Sequence, residues 1–105
     1  MRVLLDECVP WPIRGALVRH ECSSVQQQGW AGRRNGVLLA SAEALFDVFL
    51  TTDQNLAYQQ NLAGRRIGVV VLSTNDVRRL RAASTTIAMA VDSVRPGDVR
   101  SVPIP

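Results

Sequence analysis

Short, nearly continuous apolar runs alternate along the chain with stretches in which apolar residues recur every third or fourth position. The run at residues 2–5 (RVLL), ended by Asp6 and Glu7, predicts a buried strand. Pro10 and Pro12 fit the first turn of a helix, and Ile13, Ala16 and Leu17 follow at helical spacing, with His20 near its end. A weaker strand is expected at 22–26. The loop QQGWAGRRNG comes next, with Asn35 placed as a helix cap. Leu38, Leu39, Ala42, Leu45 and Phe46 then make one helical stripe over 36–46. Asp47 interrupts it, and a third strand is expected at 48–51. Residues 55–62 read as a short helix or turn closed by Gly64. Residues 67–72 are the most β-branched run and predict a central strand. Thr74 and Asn75 are placed to cap a last helix, whose inner face is Val77, Leu80, Ser84, Ile87, Val91 and Val94, with Arg78, Arg79 and Arg81 turned away. Pro96 and Gly97 end it, and 99–104 reads as an edge strand whose pairing Pro103 and Pro105 curtail.

The resulting order is β-α-β-α-β-α-β-α-β. Strands apolar throughout, alternating with amphipathic helices, indicate a parallel sheet covered on both faces. A chain of 105 residues fits one such domain.

Composition narrows the setting. An apolar fraction of 47% is enough for a core and argues against disorder. No apolar run approaches the ~20 residues needed to cross a bilayer, and Met1 leads straight into a strand without a basic leader. A cytoplasmic protein with no membrane partner is the expectation. Cys8 and Cys22 lack metal-type spacing and read as small buried hydrophobes. Net charge is +3, and all 12 basic residues are arginine. The planar guanidinium suits phosphate, so an anionic partner such as RNA is permitted without being demanded.

Candidate chemistry lies at the strand ends. Ligands of open α/β sheets bind outside the carboxyl ends of the strands. Asp6 and Glu7 end the first strand, and Asp53, in TTDQN, ends the third. If these strands are close in the sheet their carboxylates converge, and a hard cation such as Mg²⁺ or Mn²⁺ relieves the repulsion. The plainer alternative is that Asp53 caps its own turn and Glu7 is solvated.

Two families place acids in this way. Asp6, Glu7, Asp53 and Ser73 resemble the acidic pair, phosphoacceptor and hydroxyl residue of response-regulator receiver domains. Receivers also use a lysine after the fifth strand, and this chain has none. A fuller resemblance is to the PIN-like fold of metal-dependent ribonucleases. LLDECVP is similar to the LLDEN-x-P opening of the small PIN-like family DUF5615, related to toxins of toxin–antitoxin pairs. NGVLLASAEALFDVFLTTDQNL is similar, without gaps, to that family's D-x-x-[IL]-[LI]-x-x-A followed by V-[LF]-[VL]-T-x-D-x-D-[FL]. The resemblance implies a PIN-like three-layer α/β/α fold with a central, mostly parallel sheet. It implies a Mg²⁺- or Mn²⁺-dependent endoribonuclease, bound by a small antitoxin protein and able to form a homodimer.

Carried over residue by residue, Asp6 and Asp53 match the metal-binding acids, and Thr51 the hydroxyl that holds the loop. Asn35 and Asn55 stand where the family has aspartates. An amide oxygen still ligates a cation, but it brings no charge and cannot act as a base. Glu7 or Glu43 is positioned to compensate. The implied metal set is therefore Asp6, Asp53, Glu7, Asn35 and Asn55. The two amides sustain a second expectation: a module that binds RNA or a partner without turnover.

Arg33 and Arg34, in the loop before a helix, are the expected contacts to RNA phosphate, and Trp30 to a base, unless it packs beneath its own loop. Arg65 and Arg66 precede a strand, facing the opposite edge, and read as solvated. Trp11 is expected to pack against the first helix or a partner, and Tyr58, Gln59 and Gln60 to line the cleft. His20 reads as a helix cap or surface group.

Overall fold

The computed structural model describes residues 1–56 and 62–105. Strands β1 (Arg2–Leu5), β2 (Glu21–Ser24), β3 (Val48–Thr51), β4 (Gly68–Leu72) and β5 (Val99–Val102) form one sheet in the order β2-β1-β3-β4-β5. Every neighbouring pair is parallel, in keeping with the apolar runs of β1, β3 and β4. β3 and β4 are buried at every residue, and β5 is an edge strand, as expected. No helix among the described residues is long and apolar enough to cross a membrane.

The pleat sorts side chains into two layers. Val3, Leu5, Val48, Leu50, Val70 and Leu72 face a 3-10 helix (Trp11–Leu17) and two α-helices, α2 (Val77–Ala82) and α3 (Ser84–Ser93). Their partners are Ile13, Leu17, Leu80, Ile87 and Val91. On the other face Leu4, Phe49, Val69 and Val71 meet α1 (Asn35–Ala42) through Leu38, Leu39 and Ala42, joined by Leu56 and Leu62. The chain is thus an α/β protein whose sheet is covered on both sides.

Several elements differ from the pattern-based reading. The first helix is 3-10 over seven residues, opening with Ile13 N donating to Pro10 O at 3.0 Å. α1 stops at Ala42, whose carbonyl receives both Leu45 and Phe46 N–H; the tight turn buries Phe46 and leaves Leu45 44% exposed. The last helix divides at Ala83 (φ −102°, ψ 19°); Leu80, Ile87, Val91 and Val94 face the core as expected, joined by Ala83 and Ala90, while Val77 and Ser84 are only half-buried. Its N-cap is Asp76, whose Oδ1 accepts from Arg79 N at 3.1 Å, while Thr74 supports Asp76 N and Asn75 makes no cap. The turn expected at 55–62 falls largely outside the described residues.

One crossover departs from the usual chirality. The β1→β2 and β4→β5 connections run in opposite directions across the sheet, yet their helices cover the same face. They therefore have opposite hands, and β4→β5 is the odd one, since β2→β3 and β3→β4 cross over the other face. A Cβ on Gly68 would lie 2.8 Å from Arg95 O, so only glycine lets β4 start against the turn that follows α3.

Candidate functional site

The order β2-β1-β3 means that the chain leaves β1 toward one face and β3 toward the other, opening a crevice at their carboxyl ends. β1 and β3 are direct neighbours, with Leu5 opposite Leu50. The ladder continues one step further, where Asp6 N donates to Leu50 O at 2.9 Å. Backbone pairing thus brings the two acidic strand ends together.

Thr51 joins them. It is fully buried, and its hydroxyl donates to Asp6 Oδ2 at 2.7 Å while accepting from Asp53 N at 3.1 Å. A buried hydroxyl must be satisfied, and here these two partners belong to the site. Asp6 Oδ1 accepts from Glu7 N at 2.8 Å. Asp53 Oδ1 accepts from Asn55 N at 3.0 Å, so this carboxylate does cap its own turn. Its other oxygen, Oδ2, receives Asn35 Nδ2 at 3.0 Å.

Asn35 is therefore not the helix cap that its position suggests. Arg34 takes that place without a side-chain bond, and Asn35 opens α1 with its amide directed across the crevice. Asn55 reaches Asp53 through its backbone only, and its side chain is exposed. Glu7 turns away to hold the arginine loop, with Oε1 accepting from Gly32 N at 2.9 Å. Gly32 has φ +82°, a conformation that few other residues adopt. Glu43 is not near the crevice: it pairs with Arg65 at 3.3 Å and accepts from Arg66 N, so Arg65 is ion-paired instead of merely solvated.

Two participants escape a reading by residue pattern. Cys8 Sγ accepts from Thr52 N at 3.4 Å and lies 3.6 Å from Asp6 Oδ2 and 3.7 Å from Thr51 Oγ1. It occupies the asparagine position of the LLDEN-x-P pattern. Gln54 Nε2 donates to Thr52 O and Leu72 O, at 2.9 and 2.6 Å, tying the loop after β3 to the end of β4. Only proximity to Asp6 and Asp53 in the chain hints at either role.

The groups expected to meet RNA divide. Arg34 is exposed at the start of α1. Arg33 lies over the Trp30 ring, 5.6 Å from its centroid, and donates to Ser41 Oγ at 3.0 Å. Trp30 packs edge-on against Phe46, with centroids 6.2 Å apart, and belongs to the second core layer beneath its own loop. Tyr58, Gln59 and Gln60 lie outside the described residues. His20 sits at the opposite edge of the sheet, bonded to Asp92 at 2.7 Å.

Among the described residues no three His, Cys, Asp or Glu side chains converge. The oxygen donors at the crevice are the carboxylates of Asp6 and Asp53 and, after a half-turn of its amide, Asn35. This set fits a hard divalent cation in kind, one that keeps several of its waters. A scan against family models, a search of curated proteins and a search of solved structures each return no match for the chain.

Proposed function

We propose that the chain is a divalent-metal-dependent hydrolase of RNA phosphodiesters, a PIN-like ribonuclease of the toxin type. The observation that carries this reading is the Thr51 hydroxyl bonded at once to Asp6 and to the Asp53 loop, at the switch point of the sheet. Such a bond holds two carboxylates at one crevice, where ligands of parallel sheets bind.

Asp6 and Asp53 would hold Mg²⁺ or Mn²⁺, with Asn35 contributing its amide oxygen. Bound there, the cation supplies positive charge to a phosphate and lowers the pKa of a water. The residues of the chain fix the rest. Thr51 and the Asp6–Leu50 backbone bond orient the carboxylates before any ligand arrives. Arg34, exposed at the start of α1, and Arg33 beside it supply charge for the flanking phosphates. A small antitoxin and a second copy of the chain are the protein partners this reading implies.

A second reading has its own observation. The Asn35 amide already satisfies Asp53 Oδ2, which makes a cation less necessary and suits a module that binds RNA or a protein without turnover. A phosphoacceptor role for Asp53 has less support. Ser73, the hydroxyl residue it would use, accepts from Ile104 N at 2.8 Å instead, and the helices after β4 lie on the face opposite to α1.

The test is cleavage of a mixed RNA pool with Mn²⁺, Mg²⁺ or EDTA, using wild type, Asp6→Asn and Asp53→Asn. Metal-dependent cleavage that both substitutions abolish is the expected result. Folded protein that leaves RNA intact at millimolar Mn²⁺ would hand the crevice to the binding module.

A further inference from the structure

A second cleft adjoins the crevice on the far side of β1. It has a volume of about 430 Å³ and is walled by Glu7, Pro10, Trp11, Ser24, Gln26 and Gln27. All of these follow or close the carboxyl ends of β1 and β2, so the cleft opens on the same edge as Asp6 and Asp53. Neighbouring strands are ~5 Å apart, which puts the two sites about one strand spacing from each other.

The cleft has no cation in its wall and carries an acid, so it is unsuited to phosphate. Its polar groups are instead fixed and partly unused. Gln27 Oε1 accepts from Ser24 N at 3.0 Å and from Ser23 Oγ at 3.2 Å, which fixes the amide and leaves its Nε2 free to donate. Glu7 Oε1 is held by Gly32 N, leaving Oε2 free to accept. Trp11 rests against the first core layer and under Arg14, whose guanidinium carbon is 4.9 Å from the ring centroid. Trp11 lines the cleft and Arg14 does not. An aromatic surface beside one fixed donor and one fixed acceptor is the chemistry of a flat heterocycle with both kinds of group on its edge.

We infer that this cleft is a subsite for one unstacked base of single-stranded RNA, seated beside Trp11 with its polar edge toward Gln27 and Glu7. The inference rests on the ribonuclease reading for its choice of polymer. It adds a base subsite and a direction. A base enters between β1 and β2, its phosphate lies over the β1–β3 crevice, and the next phosphate approaches Arg34. A base held in a duplex cannot reach the cleft, so paired RNA is excluded.

The chain has two tryptophans, and Trp30→Phe leaves Trp11 as the single reporter. In EDTA, a single-stranded RNA oligomer is titrated against this variant, alongside the same sequence as a duplex and an abasic oligomer of equal length. Binding is followed independently by anisotropy of labelled RNA. The expected result is saturable quenching of Trp11 by the single strand and by neither control. Gln27→Glu, which keeps the acceptor toward Ser24, loses the donor and adds a charge that repels both strands alike, should weaken the single strand about tenfold more than the abasic oligomer. Wild type labelled with 5-fluorotryptophan gives the same readout by NMR should Trp30→Phe fold poorly.

A Trp11 signal that stays silent at saturation, or equal affinity for abasic and base-bearing strands, would overturn the inference, as would no binding of RNA at all. Cleavage in the metal assay separates the two readings. Metal-dependent cleavage with a silent Trp11 sinks the base subsite alone. Quenching with no cleavage keeps the subsite and sinks the nuclease.

Discussion

The hydroxyl of Thr51 lies 2.7 Å from Asp6 Oδ2, across the boundary between β3 and β1. It is a buried bond to a carboxylate, and its removal takes from Asp6 Oδ2 its shortest contact and leaves the Asp53 N–H without a partner. Thr51→Val keeps the shape and deletes the hydroxyl, so it should cost about 1–3 kcal/mol. Thr51→Ser should recover most of that. Urea unfolding of the three proteins measures the difference, and a Thr51→Val midpoint equal to wild type would mean that the bond does not hold the site together.

At the other end of the sheet, His20 Nε2 and Asp92 Oδ1 are 2.7 Å apart, and His20 Nδ1 is 3.2 Å from the Met1 amino nitrogen. The tautomer with hydrogen on Nε2 satisfies both contacts. His20 thus joins the end of the 3-10 helix to α3 and to the start of β1. Because the Asp92 side chain is 45% exposed, His20→Ala should cost only about 1 kcal/mol. The Mn²⁺ affinity proposed for the carboxyl edge should be unaffected. Calorimetric Mn²⁺ titration of the variant checks this separation, and a changed affinity would reveal coupling across the sheet.

Cys22 packs against the first core layer, and burial pushes its thiol pKa above 9.0, outweighing the nearby charges of Arg14 and the amino terminus. The unfolded chain ionises this thiol first, so above about pH 9 it binds fewer protons than the folded protein. The contribution is complete below that pH and is lost as pH rises through the folded-state value. Cys22→Ala should therefore show a shallower loss of stability than wild type on the alkaline side. Denaturation midpoints at a series of pH values give the comparison, and parallel curves would exclude the effect.

How far the sequence discloses this molecule depends on the range of each interaction. β1, β3 and β4 are legible because burial on both faces leaves a continuous apolar run in each. The break at Ala83 is not, since Leu80 and Ile87 continue one apolar stripe on either side of it. Asp6, Thr51 and Asp53 are legible as a site because strand ends of a parallel sheet share an edge. The position of Asn35 at the end of a Gly-rich loop fits a cap and a crossing amide equally well, and only the β3 loop opposite decides between them. Cys8 meets Thr52 over a separation of 44 residues, which no local pattern encodes. Trp30 illustrates the reverse: its loop position offers a base-stacking residue, and Phe46 claims the ring for the core.

Asn35→Asp tests whether the amide keeps the crevice quiet. The Nδ2 of Asn35 donates to Asp53 Oδ2 at 3.0 Å, and a carboxylate there would replace an attraction with a repulsion. In EDTA the variant should be less stable than wild type. A bound divalent cation would reverse that order by drawing both carboxylates onto itself. Mn²⁺ should therefore raise the melting temperature of the variant more than that of wild type, with an affinity at least about tenfold tighter, equivalent to ~1.4 kcal/mol. Thermal unfolding with and without Mn²⁺ gives the first quantity, and calorimetric titration the second. Gain of RNA cleavage together with tighter Mn²⁺ binding would identify Asn35 as the residue that restrains catalysis. Stability lost in EDTA and not restored by Mn²⁺ would show that the crevice does not assemble a cation site, leaving Asp53 as the anchor of its turn and of α1.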